Sequence, residues 1–255
     1  MKIILHLDKS LEENASLYYD KAKKCKKKIE GAKKALDNSL RKLKKLEKNK
    51  PEEIITKVKE TVKREWYEKF RWFHSSEGFL VVCGKDATSN DIVIKKHMDK
   101  EDIVFHTSMP GSPFCIIKTE GKPVTEKTLN ETAQQTASYS KAWKLGIAAA
   151  EVFHVKPDQV TKTALSGEYI AKGAFMIYGK KNLMTAKLEI AIGNKDGKII
   201  GGPVEAIKAQ TKDYVRVTQG KGKTSDIAKK IKKKIGGDLD EIVRFLPAGG
   251  CEIKK

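Results

Sequence analysis

Apolar residues spaced at alternating steps of four and three constrain this chain more than any other feature. Leu11, Ala15, Tyr18, Ala22, Cys25, Ile29, Ala32, Leu36, Ser39, Leu43 and Leu46 keep that spacing, with one polar break at Ser39. A seam sustained over about five heptads demands a long helix, here residues 10–48, ~58 Å at the helical rise. Asn49-Lys50-Pro51 ends it, and Pro51 suits the first turn of a second helix. Ile55, Val58, Val62, Trp66, Phe70 and Phe73 predict that helix over 52–73, ~33 Å long. The short connection predicts an antiparallel hairpin, its tip near Lys48–Glu52. The unequal lengths leave the seam from Leu11 to Ile29 without a partner in the hairpin, so the body, a second copy or another domain must cover it. Trp66, Phe70 and Phe73 are expected to fix the arm to the body as core residues.

Composition matters because the charge is uneven. The 255 residues hold 52 Lys+Arg against 33 Asp+Glu, a net charge of +19. Residues 21–50 carry fourteen cations, including Lys33, Lys34, Arg41, Lys42, Lys44, Lys45, Lys48 and Lys50, against Glu30, Asp37 and Glu47. Residues 221–234 carry seven, including Lys229, Lys230, Lys232, Lys233 and Lys234, against Asp226. Like charges packed this densely repel one another, and clustered cations gain affinity for polyphosphates by releasing counterions. A polyanion partner is the reading; a merely solvated face is the alternative.

No apolar run reaches the ~20 residues of a membrane span, and charge arrives too early at the N-terminus for a signal peptide. No membrane partner is expected, and the cytoplasm is the expected compartment. Cys25, Cys83, Cys115 and Cys251 lie far apart with no CxxC pair, which argues against a zinc module and a disulfide scaffold.

Beyond Ser75-Ser76-Glu77-Gly78 the period shortens. Runs at Phe79–Cys83, Asp91–Lys96, Asp102–His106 and Phe114–Lys118, separated by turn residues such as Gly84-Lys85-Asp86, read as a strand meander. Leu129 to Trp143 marks a helix, Ile147 to Phe153 a second or kinked one, and strands resume at Gln159–Thr163, Tyr169–Tyr178 and Lys187–Ile192. After Gly201-Gly202-Pro203 come helix Val204–Gln210, strand Tyr214–Thr218, and helices Thr224–Ile235 and Leu239–Leu246, with Thr224 or Ser225 a possible cap. The expected fold class is α+β: a helical arm (1–65), a mixed body with a mainly antiparallel sheet (66–193) and a basic C-terminal α/β extension (194–255).

Chemistry of the catalytic kind is sparse. His106-Thr107-Ser108 beside Gly111-Ser112-Pro113 gathers an imidazole, hydroxyls and a glycine turn, but no carboxylate in triad-like context stands out. His6, His74, His97, His106 and His154 form no metal-binding pattern, and there is no Walker loop or GxGxxG. No catalytic residue, metal or cofactor is assigned. On residues alone this is a binding protein, with a nucleic-acid-processing enzyme using His106 and a coiled-coil scaffold as competing readings.

Six blocks in order resemble one family. Trp66-Tyr67-Glu68-Lys69-Phe70-Arg71-Trp72-Phe73-His74-Ser75-Ser76-Glu77-Gly78 is similar to the opening of the NFACT-R domain. Gly84-Lys85-Asp86-Ala87 with Asn90, Phe105-His106-Thr107 through Pro113, Ala137 to Trp143, Val160 to Tyr169 and Gly173 to Asn182 resemble its later blocks. Thr107-Ser108 replaces the family's common Ala-Asp, and Leu165 stands where Pro is frequent. The resemblance covers about 66–192, and Leu7 to Lys21 also resembles the start of that family's coiled coil.

The resemblance implies RNA binding in translation. Full-length relatives act in ribosome-associated quality control, binding the large subunit with a stalled nascent chain, recruiting tRNA and promoting C-terminal tailing. They carry an NFACT-N domain and a helix-hairpin-helix region that this chain lacks, so a naturally short protein or a fragment is expected. Binding to large-subunit rRNA or tRNA carries over; autonomous tailing does not. Within the matched body, Arg71, Lys85, Lys95, Lys96, His106, Lys118, Lys162, Lys180 and Lys181 are the expected phosphate, sugar or stacking contacts. A separate NFACT-N-containing chain and a homodimer through Leu11–Ile29 are possible further partners.

Overall fold

The structure, a computed structural model, describes residues 4–48, 65–163 and 170–254, with side chains of the first helix through Lys44. Two compact units result, Met1–Val62 and Lys63–Lys255.

In the first unit, α1 (Leu11–Lys48) realises the seam as one uninterrupted helix. Its start is fixed by a capping box: Glu13 N donates to Ser10 Oγ (3.1 Å), and Ser10 N donates back to Glu13 Oε2 (2.8 Å). Residues 4–10 fold over that first turn. The buried Asn14 amide donates to the carbonyls of His6, Lys9 and Ser10, and the Tyr18 hydroxyl donates to Ile4 O. Leu11, Tyr18, Ile29, Leu36 and Leu43 of the seam are exposed. The expected hairpin tip and the return helix up to residue 64 lie outside the described residues.

The second unit is α+β. Its strands and helices run in the order β1 (Arg71–His74), β2 (Leu80–Cys83), α2 (Ala87–His97), β3 (Ile103–Thr107), β4 (Cys115–Lys118), α3 (Glu126–Ser138), α4 (Lys141–Lys144) and β5 (Ala149–Val155). There follow β6 (Val160–Thr161), β7 (Met176–Ile177), β8 (Asn182–Lys187), β9 (Glu189–Lys195), β10 (Lys198–Gly202), α5 (Val204–Gln210), β11 (Tyr214–Gly222), α6 (Thr224–Ile235), α7 (Leu239–Phe245) and β12 (Cys251–Ile253). One antiparallel sheet has the order β1-β2-β4-β3-β5-β8 and another β10-β9-β11-β12, with β6 and β7 paired separately.

The larger sheet is covered on both faces, which explains its unbroken apolar runs. Val81, Cys83, Phe105, Cys115 and Ile117 point into the main core with Ala133 and Ala137 of α3. Val82, Val104 and Ile116, one residue out of step, join Val93 and Ile94 of α2 on the opposite side. Helix α3 is lined with small side chains, and Thr132 and Thr136 return their hydroxyls to carbonyls four residues back. The main core also takes in Ile190 and Ile192 of β9, Val217 of β11 and Ile231 of α6, so residues on both sides of 193–194 share it.

Several expectations change; among them, the helix Leu129–Trp143 is broken between α3 and α4, where Ser140 caps α4. The helix predicted through Trp66, Phe70 and Phe73 gives way to a 3-10 turn at Trp66–Lys69 and then β1, where Trp72 and Phe73 enter different clusters as strand alternation requires. Asp91–Lys96 is helical, because Gly84-Lys85-Asp86 is no hairpin turn: Asp86 Oδ1 caps α2 by accepting Ser89 N (2.8 Å), and the Ser89 hydroxyl accepts Asp86 N. Ile147–Phe153 contributes to β5, since Gly146 (φ +73°) terminates α4 in a conformation only glycine takes easily. Lys223 occupies the N-cap of α6, and the Thr224 hydroxyl donates instead to Gly249 O. In addition, Cys83 and Cys115, opposite one another in the β2–β4 register, are joined as a disulfide that their sequence separation did not announce.

Candidate nucleic-acid interface

Where the larger sheet meets the start of α2, the second unit opens into a cleft of about 580 Å³. Its walls come from Arg71 at the head of β1, Lys85 to Asn90 at the α2 cap, the segment from His106 to Phe114, Tyr139-Ser140 between α3 and α4, and Lys172 to Phe175. Two close approaches shape it. A Cβ on Gly84 would collide with the Asn90 amide, whose Oδ1 accepts Phe114 N, and one on Gly173 (φ +77°) would strike the backbone of Ala87. A smaller pocket of about 70 Å³ adjoins it, shares Arg71 and Lys85, and adds Arg244 and Lys198.

Apart from Lys198, which is bonded to Glu68, the cations at this junction make no ion pair with an acid among the described residues. The Arg71 guanidinium lies 4.5 Å from the Tyr139 ring centre, and its buried Nε donates to nothing. Lys85 Nζ donates to Lys69 O (2.8 Å); burial lowers its pKa, and the nearby charges of Arg71 and Arg244 lower it further. Lys172 stands on the facing wall. Asp86, the one carboxylate lining the larger cleft among the described residues, is engaged in capping α2. Burial pushes the Tyr139 hydroxyl up to about 12, so it stays a neutral donor, bonded to Phe245 O.

His106 sits on the apolar side of the cleft, its ring 4.3 Å from that of Phe114. Burial lowers its pKa despite the carbonyls of Thr107 and Ser112. Its Nδ1 lies 2.8 Å from Thr107 O, which makes Nδ1 the protonated nitrogen of the neutral ring. The neighbouring hydroxyls face elsewhere: Thr107 donates to Met109 O, Ser108 to Glu151 Oε1 and Ser112 to Pro113 O.

Of the contacts expected in the body, the structure therefore brings together Arg71, Lys85 and His106. Lys118 is instead an internal tie, its Nζ shared by Asp102, Asp99 and His97 O. Lys162 bonds the carbonyls of Ala171 and Ala174 together with Asp91, and so secures the Lys172–Phe175 wall from behind. Lys95 lies 3.7 Å from Asp91 on the exposed side of α2, beside the exposed Lys96. Lys180 and Lys181 are exposed between β7 and β8, with Lys181 over the Phe153 ring. Lys172, Arg244 and Tyr139 are additions. Lys172 could have been found beside Gly173 in a recognised block; Arg244 offers no local signal.

The two basic runs are open surfaces. On α6, Ile227, Ala228 and Ile231 are buried, while Lys229, Lys230, Lys232, Lys233 and Lys234 are exposed. On α1, Lys33, Lys34, Arg41, Lys42 and Lys44 are exposed, with Arg41 paired to Asp37 (2.9 Å); the side chains of Lys45, Lys48 and Lys50 lie outside the described ones. Among the described residues no group of three or more His, Cys, Asp or Glu could hold a metal, and no helix is long and apolar enough to cross a membrane.

Comparison with known proteins places this cleft in a family. Residues 69–179 match the NFACT protein RNA binding domain. The archaeal Rqc2 homolog aRqcH of Methanocaldococcus jannaschii is 46% identical over 200 residues, covering 75% of this chain and 30% of that protein. The ribosome quality control complex subunit NEMF of Homo sapiens is 38% identical over 178 residues (67% of this chain, 16% of that protein). Ribosome quality control complex subunit 2 of Schizosaccharomyces pombe is 34% identical over 159 residues (61% and 15%). The chain thus spans less than a third of the length of these relatives. Apart from Ala248, the residues lining the larger cleft, the capped α2 and the His106 segment lie within the matched stretch, and this chain carries the NFACT-R domain of the Rqc2/NEMF family of ribosome quality control proteins.

Proposed function

We propose that this chain is an RNA-binding component of ribosome quality control, contacting large-subunit rRNA and tRNA through the cleft of its NFACT-R domain and through the lysines of α1 and α6. One observation carries the reading: Arg71, Lys85, Arg244 and Lys172 converge from separate segments with no ion pair to an acid among the described residues, while Asp86 is engaged in capping α2. Such an arrangement costs folding energy through mutual repulsion and is relieved by a bound phosphate. The exposed faces of α1 and α6 suit backbone contacts, which position a protein on RNA without reading its bases. The hydroxyls around His106 are directed away from it, so binding rather than turnover is the role assigned to this site.

Co-sedimentation with large ribosomal subunits, together with binding of rRNA fragments and tRNA across a salt series, tests this. With about six phosphates neutralised, log K should fall against log salt with a slope near −5. A flat slope overturns the reading, and RNA turnover that disappears in His106→Ala with folding intact would favour an enzyme. Crosslinking in cells with sequencing of bound RNA distinguishes rRNA from tRNA.

The exposed seam supports a second, compatible reading, in which Leu11 to Ile29 meets a second copy of this chain or a separate NFACT-N-containing chain. Light scattering at high concentration tests the dimer; a strict monomer removes it.

A further inference from the structure

The shape of the cleft is more selective than its charge, and a ligand assigned from that shape presupposes that the domain binds RNA. A surface built only for the phosphates of a duplex would be a convex or grooved array of cations. Here Arg71, Lys85 and Lys172 share a concavity with the part-exposed rings of His106 and Phe175, which lie over the buried Phe114, with Phe175 packed edge-on against it at 5.3 Å. At about 580 Å³ it falls within the ~300–1,000 Å³ of sites that engulf a small molecule. Beyond the wall formed by Arg71 and Lys85, the pocket of about 70 Å³ offers Arg244 and Lys198, faced by Glu68 and Glu241; Glu68 is already bonded to Lys198 (2.6 Å). A large, half-apolar compartment thus adjoins a small cationic one. This is the division found in a nucleotide, with a flat π-faced base at one end and an anionic phosphate at the other.

We propose that the cleft captures one unpaired nucleotide of an RNA, the base entering against His106 and Phe175 and its phosphate resting on Arg71, Lys85 and Arg244. A paired base cannot enter, because its faces and edges are already occupied in the stack. The domain therefore selects a bulge, loop or strand end, whereas the lysines of α1 and α6 accept any phosphate backbone. The neutral state of His106 fits this role: an uncharged imidazole beside Phe114 presents a flat, weakly hydrated surface to a base.

The test compares an RNA duplex with the same duplex carrying one bulged 2-aminopurine, using the full chain, with nucleoside monophosphates and inorganic phosphate as separate probes. The bulged RNA should bind about tenfold tighter, the equivalent of ~1.4 kcal/mol, with a change in 2-aminopurine fluorescence. Ala248→Trp, at an exposed position lining the cleft, should abolish both the preference and the fluorescence change while leaving duplex binding intact. Ala174→Trp, also exposed and lining the cleft, serves as a second filling variant should Ala248→Trp melt early. Equal binding of both RNAs by the wild type overturns the nucleotide site but leaves RNA binding standing; failure to bind either overturns the RNA reading itself. Binding of free monophosphates or inorganic phosphate as tight as that of the bulged RNA overturns selection of an RNA nucleotide and makes the cleft a small-anion site.

Discussion

Lys118 and Lys85 project from neighbouring strands and turns of the same sheet, yet they do opposite work. Lys118 is surrounded by Asp102, whose side chain is 1% exposed, and Asp99. Burial opposes its charge, but the hydrogen bonds and fields of those carboxylates outweigh burial and raise its pKa. Lys85 bonds a carbonyl and no carboxylate; burial, then the charges of Arg71 and Arg244, lower its pKa against the weaker opposing field of Asp86. Lys162 and Arg216 follow Lys118, being held by Asp91 and Glu189; Arg71 and Arg244 follow Lys85. A cation whose acids are supplied by its own fold is part of the scaffold. One whose neighbours are other cations is poised for an anion from outside.

The sharpest way to break this division is Lys118→Ala. It should lower stability by ~3 kcal/mol, because Asp102 would be left buried and charged, and the folded fraction should bind RNA with an unchanged salt slope. Urea unfolding and a salt titration read the two effects separately. Next in size is the double substitution Lys85→Gln with Arg244→Gln. RNA affinity should fall about tenfold and the salt slope should become shallower by about two, with stability altered by less than ~0.5 kcal/mol. Should both variants change the slope alike, the distinction between scaffold and interface cations fails.

That distinction could not be read from the chain. The α+β class, the 38-residue helix α1 and the bounds of α5 and α6 followed from periodicity, because one face of each helix is uniformly apolar or uniformly charged. Helix α2 was hidden, because both Val93 and Ile94 are buried and a short β-branched run reads equally well as a strand. Only the Asp86–Ser89 capping box marked its start. For the site, Lys118 and Lys162 looked like RNA contacts since their acids, Asp102 and Asp91, reach them only through the tertiary fold. Arg244 carries no local signal for the mirror-image reason: α7 must dock before it approaches Lys85.

Asp86 stands between the two classes, an acid at the cleft that serves the helix. Asp86→Ala should cost ~1 kcal/mol by uncapping α2. Asp86→Asn preserves a good cap while removing the negative charge from the cleft, so RNA should bind about twofold tighter at low salt without loss of stability. Thermal melts and affinity measurements on the pair separate the structural duty of this residue from its electrostatic one.

The smallest effect is expected from the protonation of His106, whose place in the chain groups it with the cations. Burial lowers its pKa from the ordinary value, and it does the same for His74, His97 and His154. RNA affinity should therefore be level between about pH 8 and 7, a window in which a phosphate-binding imidazolium would make it rise on acidification. Stability behaves differently. Below the ordinary histidine value near 6.5 the unfolded chain takes up protons that these folded rings refuse, so the melting temperature should begin to fall as pH drops through that point. It should fall further below about pH 4, where the unfolded chain protonates carboxyls that Asp91, Asp99 and Glu189, held below their ordinary values beside Lys162, Lys118 and Arg216, still keep ionised in the folded state. In His106→Gln the affinity plateau should persist while the first part of the acid loss diminishes; an affinity that tracks protonation only in the wild type would return His106 to the cationic group.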